Sequence, residues 1–126
     1  MGNALQRVLL VEDSAVVQAV VKQALRHAAC DLAWVRDGVA ALSLLREGLR
    51  PDLVLLDINL PRMNGLELLG ELRGLGLTPG LPIIIISTES EPHDIQRGLD
   101  AGARAYLRKP FRAADLWNTI STVTAA

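Results

Sequence analysis

Two apolar rhythms alternate along the chain. Short unbroken runs such as Leu53 to Leu56 and Ile83 to Ile86 carry no interleaved polar residues. Both faces of such strands need cover, as in a parallel sheet flanked by helices. The strands predicted on this basis are Arg7 to Val11, Asp31 to Val35, Leu53 to Leu56, Ile83 to Ile86 and Ala105 to Arg108. Between them apolar residues return at helical spacing. Val16, Val17, Val20, Val21, Ala24, Leu25 and Ala28 form one stripe of a first helix, Ala15 to Ala28, with Ser14 placed to cap it. Asp37 caps a second helix running to about Glu47, and Asn64 with Glu67 forms a capping box opening Gly65 to Leu75. A fourth helix is expected from about Glu91 to Ala101, with Pro92 in its first turn and Gly102 as a left-handed stop. Leu116, Ile120 and Val123 give the fifth its buried face. Strict strand-helix alternation makes this an α/β domain.

Composition narrows the class. At 126 residues, 50% of them hydrophobic, the chain is sized for one domain with its own core. The single cysteine, Cys30, excludes an internal disulfide and favours a reducing, cytoplasmic setting. Thirteen basic against 14 acidic side chains, with no run of like charge, make no case for direct binding to nucleic acid or to a membrane surface. The apolar runs are far shorter than the roughly 20 residues a membrane span needs, and residues Met1 to Arg7 show no signal-peptide pattern.

In an open parallel α/β sheet the ligand site lies beyond the carboxyl ends of the strands. Glu12 and Asp13 follow the first strand, Arg36 and Asp37 the second, Asp57 the third, Ser87 and Thr88 the fourth, and Lys109 and Pro110 the fifth. With the first strand central and the second at an edge, all but the second set converge on one pocket. Three crowded carboxylates repel, so one holds a proton or a cation sits among them. All-oxygen donors suit Mg²⁺, which tends to bring in phosphate oxygens. With Lys109 as a second positive charge and Ser87 as a hydroxyl donor, a central carboxylate can act as nucleophile toward a phosphoryl group. Asp57 is the candidate.

Four stretches, Val11-Glu12-Asp13-Ser14, Leu55 through Gly65, Ile86-Ser87-Thr88 and Ala105 through Phe111, together resemble the receiver domain of bacterial two-component response regulators, of the stand-alone chemotaxis type. The resemblance covers essentially the whole chain. It implies a doubly wound (βα)5, flavodoxin-like fold with a five-stranded parallel sheet of order 2-1-3-4-5, and a single receiver domain over residues 1–126 with no output domain. It further implies that Asp57 takes a phosphoryl group from a histidine kinase or histidine phosphotransferase. Mg²⁺ would be held by Asp13, Asp57 and the backbone carbonyl of Asn59, with Glu12 acting through metal-bound water. The backbone of Asn59 and Thr88 would contact the phosphoryl group. Ser87 would then move inward and Tyr106 rotate from exposed to buried, altering the surface of the fourth helix, fifth strand and fifth helix that an unidentified downstream protein reads. By the same resemblance the Lys109-Pro110 bond is cis. Such a protein is no enzyme beyond its own phosphorylation and slow autodephosphorylation.

Departures from the family pattern are small. Ser87 replaces the usual threonine and Glu12 the commoner aspartate. Thr88 is bulkier than the residue often found there, which predicts a partly shielded phosphoryl site. Asn59 and Glu89 are expected to tune phosphoryl lifetime.

Other readings compete. A haloacid-dehalogenase-like phosphatase also uses a nucleophilic Asp, Mg²⁺ and Lys, but its nucleophile follows the first strand with an acid two residues on, where this chain has Asn59. A nucleotide-binding module would need a glycine-rich loop after Val11. A degenerate, phosphorylation-independent docking domain would not need the full acid, hydroxyl and lysine set. Trp34 and Trp117 are expected to pack, His27 and His93 to lie on helix surfaces, and Asp37, Asp52, Asp94, Asp100 and Asp115 to cap helices or face solvent.

Overall fold

The computed structural model describes residues 5–88 and 92–124. Its ten elements are β1 (Arg7–Val11), α1 (Ala15–Ala24), β2 (Asp31–Val35), α2 (Gly38–Arg46), β3 (Leu53–Asp57), α3 (Gly65–Gly74), β4 (Ile83–Ser87), α4 (Pro92–Asp100), β5 (Ala105–Arg108) and α5 (Ala113–Thr124). The five strands form one parallel sheet in the order β2-β1-β3-β4-β5. This is the doubly wound arrangement expected from the sequence.

Alternate residues of each central strand serve opposite core layers, because side chains of a strand point to opposite faces in turn. Leu9, Val11, Val54, Leu56, Ile83 and Ile85 pack with Leu42 and Leu45 of α2 and Leu68, Leu69 and Leu72 of α3. On the other face Val8, Leu10, Leu53, Leu55, Ile84 and Ile86 meet Val21 of α1 and Leu116 and Ile120 of α5. Every residue of β3 and β4 is buried. The unbroken apolar runs therefore follow from cover on both sides.

The helix starts are held as predicted. Ser14 Oγ accepts from the Val17 amide at 3.3 Å, and an Asp37 carboxylate oxygen from the Ala40 amide at 2.8 Å. Asn64 and Glu67 form a reciprocal capping box, with bonds of 2.9 and 3.2 Å. Gly102 has φ 119°, the left-handed stop expected after the fourth helix. The expected start of that helix at Glu91 lies outside the described residues, as does Glu89.

Three expectations need correction. α1 ends at Ala24 rather than Ala28: the Arg26 and Ala28 amides bond three residues back, to Gln23 and Leu25 at 3.3 and 2.9 Å, and Ala29 at φ 51° turns the chain into β2. β3 and β4 each run one residue further, taking Asp57 and Ser87 into the ladder opposite Ile86 and Arg108. Trp117 does not pack in the core but is exposed, because it follows Leu116 by one residue and so points about 100° away from the buried face.

Two glycines fix the approach of the helices to the strand ends. The Gly38 amide donates to the Met63 carbonyl at 3.2 Å, and a Cβ there would meet the same oxygen at 2.5 Å. The Gly65 amide donates to the Ile58 carbonyl at 2.9 Å, and a Cβ there would press on the Asp57 carbonyl oxygen and lie 2.9 Å from Ile58 Cα. Both obstacles are backbone, which cannot swing aside. Gly65→Ala should therefore destabilise by about 1–3 kcal/mol, as overpacking does. Gly70→Ala, with open space around it in α3, should stabilise by up to about 1 kcal/mol. Urea denaturation of the two variants checks the contrast.

Candidate functional site

The ladder register assembles the site. Val11 pairs with Leu56, so Glu12 emerges from β1 beside Asp57, the last residue of β3. Ser87 ends β4 next to Arg108, and its carbonyl accepts the Lys109 amide at 2.8 Å. The Lys109-Pro110 bond is cis, as expected. Four strands thus deliver Glu12, Asp57, Ser87 and Lys109 to one end of the sheet, and Asp13 sits at the rim.

Lys109 is shared. Its Nζ lies 2.7 Å from Glu12 Oε1 and 2.9 Å from Asp57 Oδ2. The second oxygen of each carboxylate is held by backbone: Glu12 Oε2 accepts from the Ser14 amide at 3.0 Å, and Asp57 Oδ1 from the Asn59 amide at 3.1 Å. Glu12, Asp57 and Ser87 are buried, whereas Asp13 is exposed. Burial raises the Glu12 pKa, and the Asp57 charge adds to that, against the lowering pull of Lys109 and Ser14. Burial alone would lower the Lys109 pKa, but its hydrogen bonds and attraction to the two carboxylates outweigh it, so the ammonium form is favoured.

One ammonium does not balance three acids. Ligand oxygens of Glu12, Asp13 and Asp57 lie within 4.8 Å of one another. At that separation two unit charges repel by about 3–4 kcal/mol at an effective dielectric of about 20. Lys109 is the sole ion-pair partner of Glu12 among the described residues, and Asp57 shares it. A hard divalent cation fits this all-oxygen donor set, in which the carboxylates outnumber the one ammonium: it would neutralise the excess charge.

The remaining predicted residues fall around this centre. Asn59 follows Asp57 with its amide turned back onto the carboxylate, and Thr88 is exposed at the bend after β4. Tyr106 is half-buried and packs against the core layer containing Ile83 and Ile85. His27 and His93 are exposed, as expected.

The second strand end is where sequence reasoning fell short. Trp34, read as a packing residue, also donates its indole N–H to the Glu12 carbonyl at 2.6 Å. Arg36 donates to the Asp13 carbonyl at 3.0 Å and stacks on the Trp34 ring, 4.4 Å from its centroid. Arg62, at φ 66°, reaches 3.5 Å from Asp37 and so links the loop after β3 to the start of α2. The only sequence signal was an arginine two residues after a tryptophan at a strand end.

Comparisons with known proteins agree with this geometry. The profile of the response regulator receiver domain matches residues 8–121. The DNA-binding response regulator MtrA of Mycobacterium tuberculosis is 40% identical over 116 residues, which is 92% of this chain and 49% of MtrA. The chain thus spans about half the length of the curated relatives it matches. Among solved structures, the chemotaxis response regulator CheY4 of Vibrio cholerae superposes with a TM-score of 0.84 at 31% identity, covering 94% of this chain and 98% of CheY4. The response regulator Rcp1, solved in its Mn²⁺-bound form, gives a TM-score of 0.79 at 29% identity, covering 94% and 91%.

The charge imbalance has a testable sign. Asp57→Asn removes one of three mutually repelling acids while leaving Lys109 its contact with Glu12. In EDTA the variant's urea midpoint should rise above that of the parent, while Mg²⁺ affinity by isothermal titration falls at least about tenfold, since a charged ligand is lost. A midpoint that falls together with the affinity would mean that carboxylate repulsion is not the dominant feature of the metal-free site.

Proposed function

This chain belongs to the response regulator receiver domain family, and from that premise we propose that Asp57 is its phosphoacceptor, taking a phosphoryl group from the imidazole of a histidine kinase or histidine phosphotransferase. The observation that carries the proposal is the contact of Lys109 Nζ with Asp57 Oδ2 at 2.9 Å inside a three-carboxylate cluster. A carboxylate oxygen of Asp57 attacks phosphorus in line while the phosphorus–nitrogen bond of the donor breaks and its electron pair returns to the imidazole. Lys109, released from part of its contact with the carboxylates, stabilises negative charge on the phosphoryl oxygens. Mg²⁺, held by Asp13, Asp57 and the Asn59 carbonyl, with Glu12 acting through a metal-bound water, would supply further charge neutralisation. Rcp1, which this chain resembles, has been solved with Mn²⁺ bound, and that supports a divalent ion in this role.

The amides of Asn59 and Thr88 are placed in the sequence to donate to the phosphoryl oxygens. Ser87, buried at the end of β4, would bond the same oxygens and move inward. Tyr106 on the neighbouring β5 would follow, biasing the surface of α4, β5 and α5 between two states. α4 and α5 each expose a large apolar side chain, Leu99 and Trp117, which supports a protein partner for that surface. Thirteen basic against 14 acidic residues support the view that the chain does not itself bind nucleic acid. None of the described helices is long and apolar enough to cross a membrane. A cytoplasmic setting, in which the Cys30 thiol stays reduced, completes the proposal.

Incubation with a small-molecule acyl phosphate and Mg²⁺, followed by intact-mass measurement, tests it. The parent should gain the mass of one phosphoryl group. Asp57→Asn and the parent in EDTA should gain none. Equal gain in parent and variant would sink the assignment, and continuous turnover of a phosphomonoester would point to a phosphatase instead.

A further inference from the structure

We propose that Trp34 and Arg36, on and just beyond the edge strand β2, are positioning residues for the divalent-cation site, holding the main chain of Glu12 and Asp13 and thereby setting Mg²⁺ affinity. This rests on the reading of Glu12, Asp13 and Asp57 as that site.

Three bonds from one direction fix the acidic pair. The Glu12 amide donates to the Val35 carbonyl at 3.0 Å, the Trp34 indole donates to the Glu12 carbonyl at 2.6 Å, and the Arg36 guanidinium donates to the Asp13 carbonyl at 3.0 Å. The helical ladder of α1 cannot serve these carbonyls, because it starts with the Ser14 carbonyl, which accepts the Gln18 amide at 3.1 Å. Without the two side chains both carbonyls would turn to water. The guanidinium in turn lies over the indole, its Cζ 4.4 Å from the ring centroid, so the two donors form one unit.

Asp13 is where this matters most. Its carboxylate is exposed and has no hydrogen bond or ion pair among the described residues, whereas Glu12 and Asp57 are both held by Lys109 and a backbone amide. The position of the Asp13 carboxylate therefore depends on its own backbone, and that backbone is anchored by Arg36. Groups of this kind, which orient ligands without touching the metal, typically change affinity by about 10–100-fold.

The charge of Arg36 separates positioning from a simple field effect. Through space a guanidinium opposes a divalent cation, so Arg36→Ala acting by charge alone would tighten Mg²⁺ binding. Acting through the lost anchor, it weakens binding. The experiment is isothermal titration of the full chain with MgCl₂ at constant ionic strength, using the parent, Trp34→Phe, Arg36→Ala and Arg36→Lys. Trp34→Phe keeps an aromatic face but removes the N–H together with the pyrrole half of the indole, so the urea midpoint in EDTA serves as its packing control.

Trp34→Phe and Arg36→Ala should each weaken Mg²⁺ about tenfold at unchanged stoichiometry, and Arg36→Lys, which keeps a cationic donor, should recover most of the loss. Urea midpoints in EDTA should stay close to the parent's. Labelling by an acyl phosphate should be slow at low Mg²⁺ and reach the parent rate at saturation. Unchanged or tighter binding in both variants overturns the proposal, as does weaker binding that only tracks lost stability in EDTA. If Trp34→Phe does not fold, the exposed Arg36 decides the matter alone. A parent that binds no Mg²⁺ removes the cation-site reading itself, whereas a parent that binds with indifferent variants removes only the positioning role.

Discussion

A single ammonium group stands between two buried carboxylates at the end of this sheet, a contact that the strand order makes possible and on which the chemistry of the site depends. Lys109 comes from the end of β5, Glu12 from the end of β1 and Asp57 from β3, so the contact exists only if β3 lies near both, as the order β2-β1-β3-β4-β5 provides. Removing the ammonium would leave both buried carboxylates uncompensated, a loss that typically costs about 3–5 kcal/mol. The same contact leaves the site short of positive charge. Lys109 can offset one acid, and the cluster holds three. Stability and function therefore pull in different directions here: the imbalance weakens the fold slightly and makes the site receptive to a divalent cation and a phosphoryl group.

The loops carrying the acids are fixed from the side that contributes none. The chain from Trp34 to Gly38 reaches the loop after β1 through Trp34 and Arg36, and the loop after β3 through Gly38 and Asp37. These are bonds to backbone or at exposed positions, each modest in energy. Together they orient main chain, on which ligand direction depends. On the other side of the site, Ser87 and Lys109 sit on adjacent strand ends, and beyond them lies the half-buried Tyr106.

The sheet and the acid cluster were legible in the sequence because both are written in residue type. Ile83 to Ile86 can only be a strand covered on both faces, and carboxylates at the ends of β1 and β3 with a lysine after β5 have few other readings. What escaped notice was written in backbone geometry. The close approaches at Gly38 and Gly65 depend on how helices dock on loops, which periodicity does not encode. Trp34 looked like an edge-strand packing residue, since nothing in the sequence tells a packed indole from one donating to a carbonyl 22 positions earlier. α1 stops short of its apolar stripe at its C-cap Leu25, after which the chain runs in tight turns to Ala29, whose left-handed conformation no glycine or asparagine announced. Trp117 was misplaced for the opposite reason, its type suggesting burial while its phase on α5 points outward.

On the proposed function, the imbalance around Lys109 directs a phosphoryl group to Asp57 and to no other acid in the cluster. Borohydride reduction converts an aspartyl phosphate to homoserine, and tandem mass spectrometry of the digested protein then locates it. After treatment with acyl phosphate and Mg²⁺, homoserine is expected at position 57 alone, with Glu12 and Asp13 unmodified. Reduction product at Glu12 or Asp13, or none anywhere in a protein that has bound Mg²⁺, would contradict it.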